Sequence, residues 1–163
     1  MTDLPISIRA DFERGGWHPG RRVAVPPHVP AGHPAAGILA EFGGLKVRRD
    51  GGGEQCATAD LDFSPGRGQP RVIKRWCKLM KTTLVLIAGT HDWYAELYVD
   101  ATGRCFLYSG INDVLAFFGD SFTEAAERLI LGRVGRPMLR PDQAKISWFA
   151  ERIGPEDDRV YRY

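Results

Sequence analysis

The 163-residue chain is long enough for one domain with an appendage, and its 44% hydrophobic content suits a buried core and excludes general disorder. A formal charge of +2 is too mild for a dedicated nucleic-acid binder, and the longest apolar run, residues 83–89, is strand-sized, far short of the ~20 residues of a membrane span. The opening MTDLPISIRADF lacks the pattern of a secretory signal, and Cys56, Cys77 and Cys105 are widely spaced with no CxxC pair, so the chain reads as a cytoplasmic protein with reduced thiols and no membrane partner.

In chain order, the spacing predicts a first helix over residues 7–14, with Ile8 and Phe12 one turn apart and Gly15-Gly16 as its stop. GGWHPGRR follows and opens a proline-rich loop over residues 18–33. There Trp17 folds back over the first helix and Arg21 caps carbonyls or meets a carboxylate, so that the pair forms a corner locking that helix to the sheet. A second helix starts at Pro34, lines up Ala35, Ile38, Leu39 and Phe42, and ends at Gly43-Gly44. Strands are expected at residues 45–49 and 57–63, separated by the DGGG turn.

After the turn SPGRGQP comes a third, amphipathic helix over residues 71–81. Its basic stripe is Arg71, Lys74, Arg75, Lys78 and Lys81, with Trp76 on the apolar arc. Residues 83–89 read as a central strand, and residues 93–99 and 104–108 as a hairpin around DATG. Ser121 and Glu124 have capping-box spacing ahead of a fourth helix closed by Gly132. In the tail, Pro141 opens a short helix with Ile146, Phe149 and Ile153 on its face. Helices, then strands, then a late helix give an α+β fold, with helices packed on a mainly antiparallel sheet.

No catalytic constellation is legible. His18, His28, His33 and His91 have no partner at metal spacing and read as solvent-exposed loop residues. Asp60 and Asp62 point the same way from one strand and are chemically able to bind a cation or act as acid and base. With Ala59, Leu61 and Phe63 filling the buried face, a solvated outer face is the better account of the pair. Ser109 lies in no nucleophile elbow, and neither GRGQP nor DGGG has the lysine and following helix of a phosphate loop. Charge is segregated instead. Residues 64–89 hold Arg67 and the basic stripe with no acid, while residues 90–127 hold seven acids against Arg104 alone.

Four segments in order, GGWHPGRR, ILAEFGGLKV, LYVDATGRCFLY and FGDSFTEAAERLILG, resemble the third subfamily of the SUKH superfamily, bacterial immunity proteins that neutralise polymorphic toxins. The matching positions are Gly16, Trp17, Pro19 and Arg21; Phe42, Gly43, Gly44 and Leu45; Asp100, Gly103 and Arg104; and Gly119, Ser121 and Phe122. These are family-signature structural positions. The resemblance implies a SUKH-like immunity domain over residues 1–132, with residues 133–163 a C-terminal extension outside the family pattern and free to be partner-specific.

It further implies a non-enzymatic protein without cofactor or metal, whose partner is a cognate toxin of a group that includes nucleases and nucleic-acid deaminases. The acidic block, chiefly Asp92, Glu96, Asp113 and Asp120, is then the candidate partner-binding surface, since a polyanion mimic suits such a toxin. The alternative is a small nucleic-acid-binding module using the basic helix 71–81, with Trp76 stacking on a base.

Overall fold

The computed structural model describes residues 2–66 and 70–163, so the Arg67–Gln69 part of the SPGRGQP turn lies outside the described residues. Four helices form: α1 (Ile6–Arg14), α2 (Pro34–Phe42), α3 (Arg71–Met80) and α4 (Phe122–Ile130). Seven strands make one sheet in chain order: β1 (Lys46–Val47), β2 (Leu61–Asp62), β3 (Val85–Thr90), β4 (Ala95–Val99), β5 (Cys105–Ser109), β6 (Val114–Gly119) and β7 (Arg136–Met138). Every neighbouring pair is antiparallel. A separate two-stranded sheet joins β8 (Ile146–Trp148) to β9 (Glu151–Ile153). The fold is α+β, as the element order implies.

Alternation along the strands gives the sheet two apolar faces. On one, Ile87, Leu97, Val99 and Phe118 meet Ile8 and Phe12 of α1, Phe42 of α2 and Ala125 and Leu129 of α4. Phe12, Phe42, Phe63 and Phe122 form the centre of that core, with Phe42 and Phe122 ring centroids 4.9 Å apart. On the other face, α3 lays Ile73 and Trp76 against Leu84, Tyr98, Phe106 and Leu115. Trp76 is wholly buried, a burial worth roughly 1.5–3 kcal/mol for a side chain at least as large as phenylalanine.

The extension completes this second layer. Tyr161 stacks on Phe117 at 4.2 Å, and its N–H donates to the Pro137 carbonyl at 2.8 Å. The Tyr163 ring meets Trp76 edge-on at 5.3 Å. Pro137 is tolerated because β7 is an edge strand, and the returning tail covers that edge.

The expected tail helix is not formed. Ile146, Trp148, Glu151 and Ile153 alternate about a two-residue turn, and Ile146 and Ile153 face each other as a buried pair. The same apolar spacing fits a helix or this hairpin, and packing of Ile146 and Ile153 against Val114, Leu139 and Val160 selects the hairpin. The expected strands at 45–49 and 57–63 shrink to β1 and β2, two residues each. Spacing does not mark the apolar run of β6, an interior strand between β5 and β7, as a separate element.

Candidate partner-binding site

The family-signature positions are built into the scaffold. Gly16 follows α1 with φ 95°, a left-handed value open to glycine, and reverses the chain so that Trp17 turns inward. Trp17 is 5% exposed, stacks near Phe42 at 6.4 Å, and donates its indole N–H to Glu41 at 3.1 Å. Pro19 sits in the exposed turn that follows. Arg21 then donates to the carbonyls of Glu41 (2.6 Å) and Gly43 (2.8 Å), capping the C-terminus of α2. The corner therefore locks to the second helix, whereas spacing alone ties it to the first helix and the sheet. Burial pushes the Glu41 carboxyl up, but hydrogen bonds from Thr2 and Trp17 outweigh it and hold it below its ordinary value.

Phe42 and Leu45 enter the core, and the Gly44 N–H donates to Phe63 O at 2.9 Å. At the β4–β5 turn, fully buried Asp100 accepts from the Thr102 and Arg104 N–H groups and pairs with the Arg104 guanidinium at 2.7 Å, while Gly103 supplies the φ of 98°. Arg104 also donates to the Tyr161 hydroxyl at 3.2 Å, joining this turn to the tail. Gly119 ends β6, Ser121 caps α4 by accepting from Glu124 N–H at 3.2 Å, and Phe122 is buried.

The opposite end of the sheet differs. Because β3 to β6 run antiparallel in order, the β3–β4 and β5–β6 turns lie at one end, and the β8–β9 tip reaches the same place. Six of the seven positive-φ non-glycine residues among those described fall in these three turns: His91, Asp92, Trp93, Asp113, Phe149 and Ala150. Left-handed backbone at such residues is strained and gathers at functional sites. The same turns carry exposed Tyr94 (65%), Ile111 (73%) and Phe149 (56%).

A groove of about 340 Å³ opens among them, floored by Ala95 and Leu107 and flanked by His91, Asn112, Trp148 and Phe149. Asp60 and Asp62 hold this end in place and do not form a free acidic face. Asp60 accepts from the His91 N–H at 2.6 Å. Asp62 accepts from the Trp93 indole at 3.3 Å and pairs with Lys46 at 3.1 Å. Trp93 lies flat over Gly89, where a Cβ would come within 2.3 Å of the indole. Spacing singles out neither Tyr94, Ile111 nor the groove and puts Phe149 on a helix face, because the site arises from turns distant in the chain.

The four acids named from the charge block are dispersed. Asp92 is exposed in the β3–β4 turn with no ion pair among the described residues. Asp113, at the same end, is held by Arg140 through two hydrogen bonds (3.0 and 2.5 Å), which keep its carboxyl below the ordinary range. Glu96 accepts from the Tyr98 hydroxyl at 2.6 Å on the face covered by α3. Asp120 is exposed at the far end, beside the start of α4.

The basic stripe of α3 is exposed at Arg71, Lys74, Lys78 and Lys81. Arg75 is held by Asp142 at 2.9 Å, and buried Trp76 presents no stacking face. His33 is not a solvated loop residue. It is 8% exposed, and its Nδ1 caps α2 by accepting from the Ala35 N–H at 3.2 Å. A larger groove of about 760 Å³ runs between residues 23–30 and β3, and His28 is the one ionisable side chain in its described lining. Among the described residues, no three histidine, cysteine or carboxylate side chains gather to hold a metal ion, and no helix is long and apolar enough to cross a membrane.

A family model described as SUKH-3 immunity protein matches residues 4–132. No curated protein and no solved structure gives a match.

Proposed function

The chain belongs to the SUKH-3 immunity protein family, and from that premise we propose that it is a cytosolic inhibitor that binds a cognate toxin through the turn end of its sheet. The carrying observation is the convergence of three strained turns, each with an exposed large apolar residue, around one groove. Exposed apolar groups rimmed by polar ones are the usual make-up of a protein interface core. Asp92 follows groove-lining His91 in the exposed β3–β4 turn and has no ion pair among the described residues, whereas Asp113 serves the fold through Arg140. Neutralisation by this route is recognition without bond-making. A toxin that works on nucleic acid, whether nuclease or deaminase, carries cations at its own site, which Asp92 is placed to meet.

Co-expression of the chain with the toxin domain encoded beside its gene tests the reading. Cells survive and the two proteins co-elute if it holds. Killing that persists while the chain is soluble and abundant refutes it. Within a protected pair, Asp92→Lys slows association about tenfold at low salt and the difference shrinks as salt rises, measured by stopped flow.

A further inference from the structure

The β8–β9 hairpin lies wholly beyond residue 132, outside the family-matched segment, yet its tip completes the groove. Its turn residues are a poor choice for the backbone they occupy. Phe149 (φ 45°) and Ala150 (φ 65°) are both left-handed, the signature of a two-residue turn that prefers Asn-Gly. Burial does not explain Phe149 either, since more than half of it is exposed. Trp148 is the structural partner. It packs against both the main core and the Val114–Ile146–Ile153 cluster, and its ring meets Phe149 at 89° and 5.0 Å. Phe149 is thus oriented by Trp148 and held at the groove by strained backbone, with the edge-on Trp148 contact as its aromatic support.

The rim adds the partner's chemistry. Among the described residues, the side chains of His91, Asn112 and Ser147 around the groove make no hydrogen bond. Arg133, the one arginine or lysine lining it among the described residues, is taken by Glu54 (2.7 Å) and Glu127 (3.5 Å). At this end the exposed Asp92 carboxylate has no ion pair among the described residues, and neither has Asp60 or Arg152 of β9. An apolar groove with unspent polar side chains and the Asp92 carboxylate in the adjoining turn fits a protein surface that offers an apolar side chain beside a cation.

Resting on the toxin-binding reading above, we propose that Phe149 is the anchor of that contact. It seats on an apolar patch of the cognate toxin, a toxin side chain enters the groove beneath it, and a toxin lysine or arginine faces Asp92. Because the hairpin is not part of the family segment, the anchor belongs to this chain's own partner.

The double variant F149N/A150G tests the assignment, since it gives the turn its preferred residues while removing the aromatic. It is expected to melt at or above the wild-type temperature and to bind the neighbouring-gene toxin domain at least about tenfold more weakly, by calorimetry. A lowered melting temperature makes Phe149 a structural residue and overturns the proposal, with or without a toxin in hand. Unchanged toxin affinity overturns it as well. If the wild type protects cells and F149N/A150G protects and binds equally, the anchor fails and the immunity reading stands. If the wild type itself does not protect, the immunity reading fails first.

Discussion

Arg21 shows how much one side chain can close. Its guanidinium satisfies two carbonyls at the end of α2 that the helix leaves without partners. Arg21→Ala strands both and is expected to cost about 1–3 kcal/mol in urea unfolding. Arg21→Lys recovers only part of that, because a single ammonium lacks the planar fork. The Trp-x-Pro-x-Arg spacing after a glycine stop leaves carbonyls or a carboxylate open as the partner of Arg21, and the fold selects the carbonyls of Glu41 and Gly43. Glu41, which receives the Trp17 N–H, was not legible, because a glutamate within a helix ordinarily faces water. His33 misled for the converse reason: a loop histidine before Pro34 looks solvated, and only the fold shows it buried as a cap.

Asp100 gives a pH signature at the same scale. Burial pushes its carboxyl up, but hydrogen bonds from Thr102 and Arg104 outweigh this and depress it. The stability it contributes is therefore complete above the ordinary carboxylate value near 3.8 and is lost as pH falls through the depressed folded value. Melting temperatures taken from pH 6 down to about 2 should show an acid limb that Asp100→Asn flattens while lowering stability near neutrality.

Among the elements, α4 and the β8–β9 hairpin mark the limits of reading periodicity. The capping box before α4 is local chemistry, so Ser121, Glu124 and the apolar stripe together specified the helix. Ser121→Ala should remove about 1 kcal/mol, read from the same unfolding curves. The hairpin has no such signal. Phe-Ala is not a turn dipeptide, and Ile146, Phe149 and Ile153 also match a helical face, so the decision rests on contacts with Val114 and Leu139 distant in sequence. Strands β1 and β2 shortened for a related reason, since alternation marks which residues are buried but not where pairing stops. The edge of β7 yields a direct test. Deleting residues 159–163 removes the Tyr161 hydrogen bond to Pro137 and the stack on Phe117, so hydrogen exchange in β7 and β6 should accelerate while α1 and α2 stay protected.

Across the whole molecule, a sheet with helices on one side and α3 with the tail on the other places the acids of one chain segment at different ends. Charge composition alone suggested a single anionic surface. Folding dissolves it, because residues 92 and 120 are separated by the length of the antiparallel strands. Asp120→Lys is thus expected to leave toxin association nearly unchanged where Asp92→Lys slows it. The basic face of α3 points elsewhere, without an aromatic platform. Mixed oligonucleotides should bind it weakly and with the linear loss against log salt of simple phosphate contact, and Lys74→Glu with Lys78→Glu should abolish even that.

The closure of the second layer by Tyr161 and Tyr163 carries a consequence for biosynthesis. Helix α3 is made early, but the aromatic rings that seal it and the strand edge beside β6 leave the ribosome about 80 residues later, seconds behind at ordinary rates of translation. During that interval the nascent chain presents an open β-edge and a bare indole, so chaperone engagement should fall on this layer, and a stalled ribosome short of residue 161 should yield a sticky product.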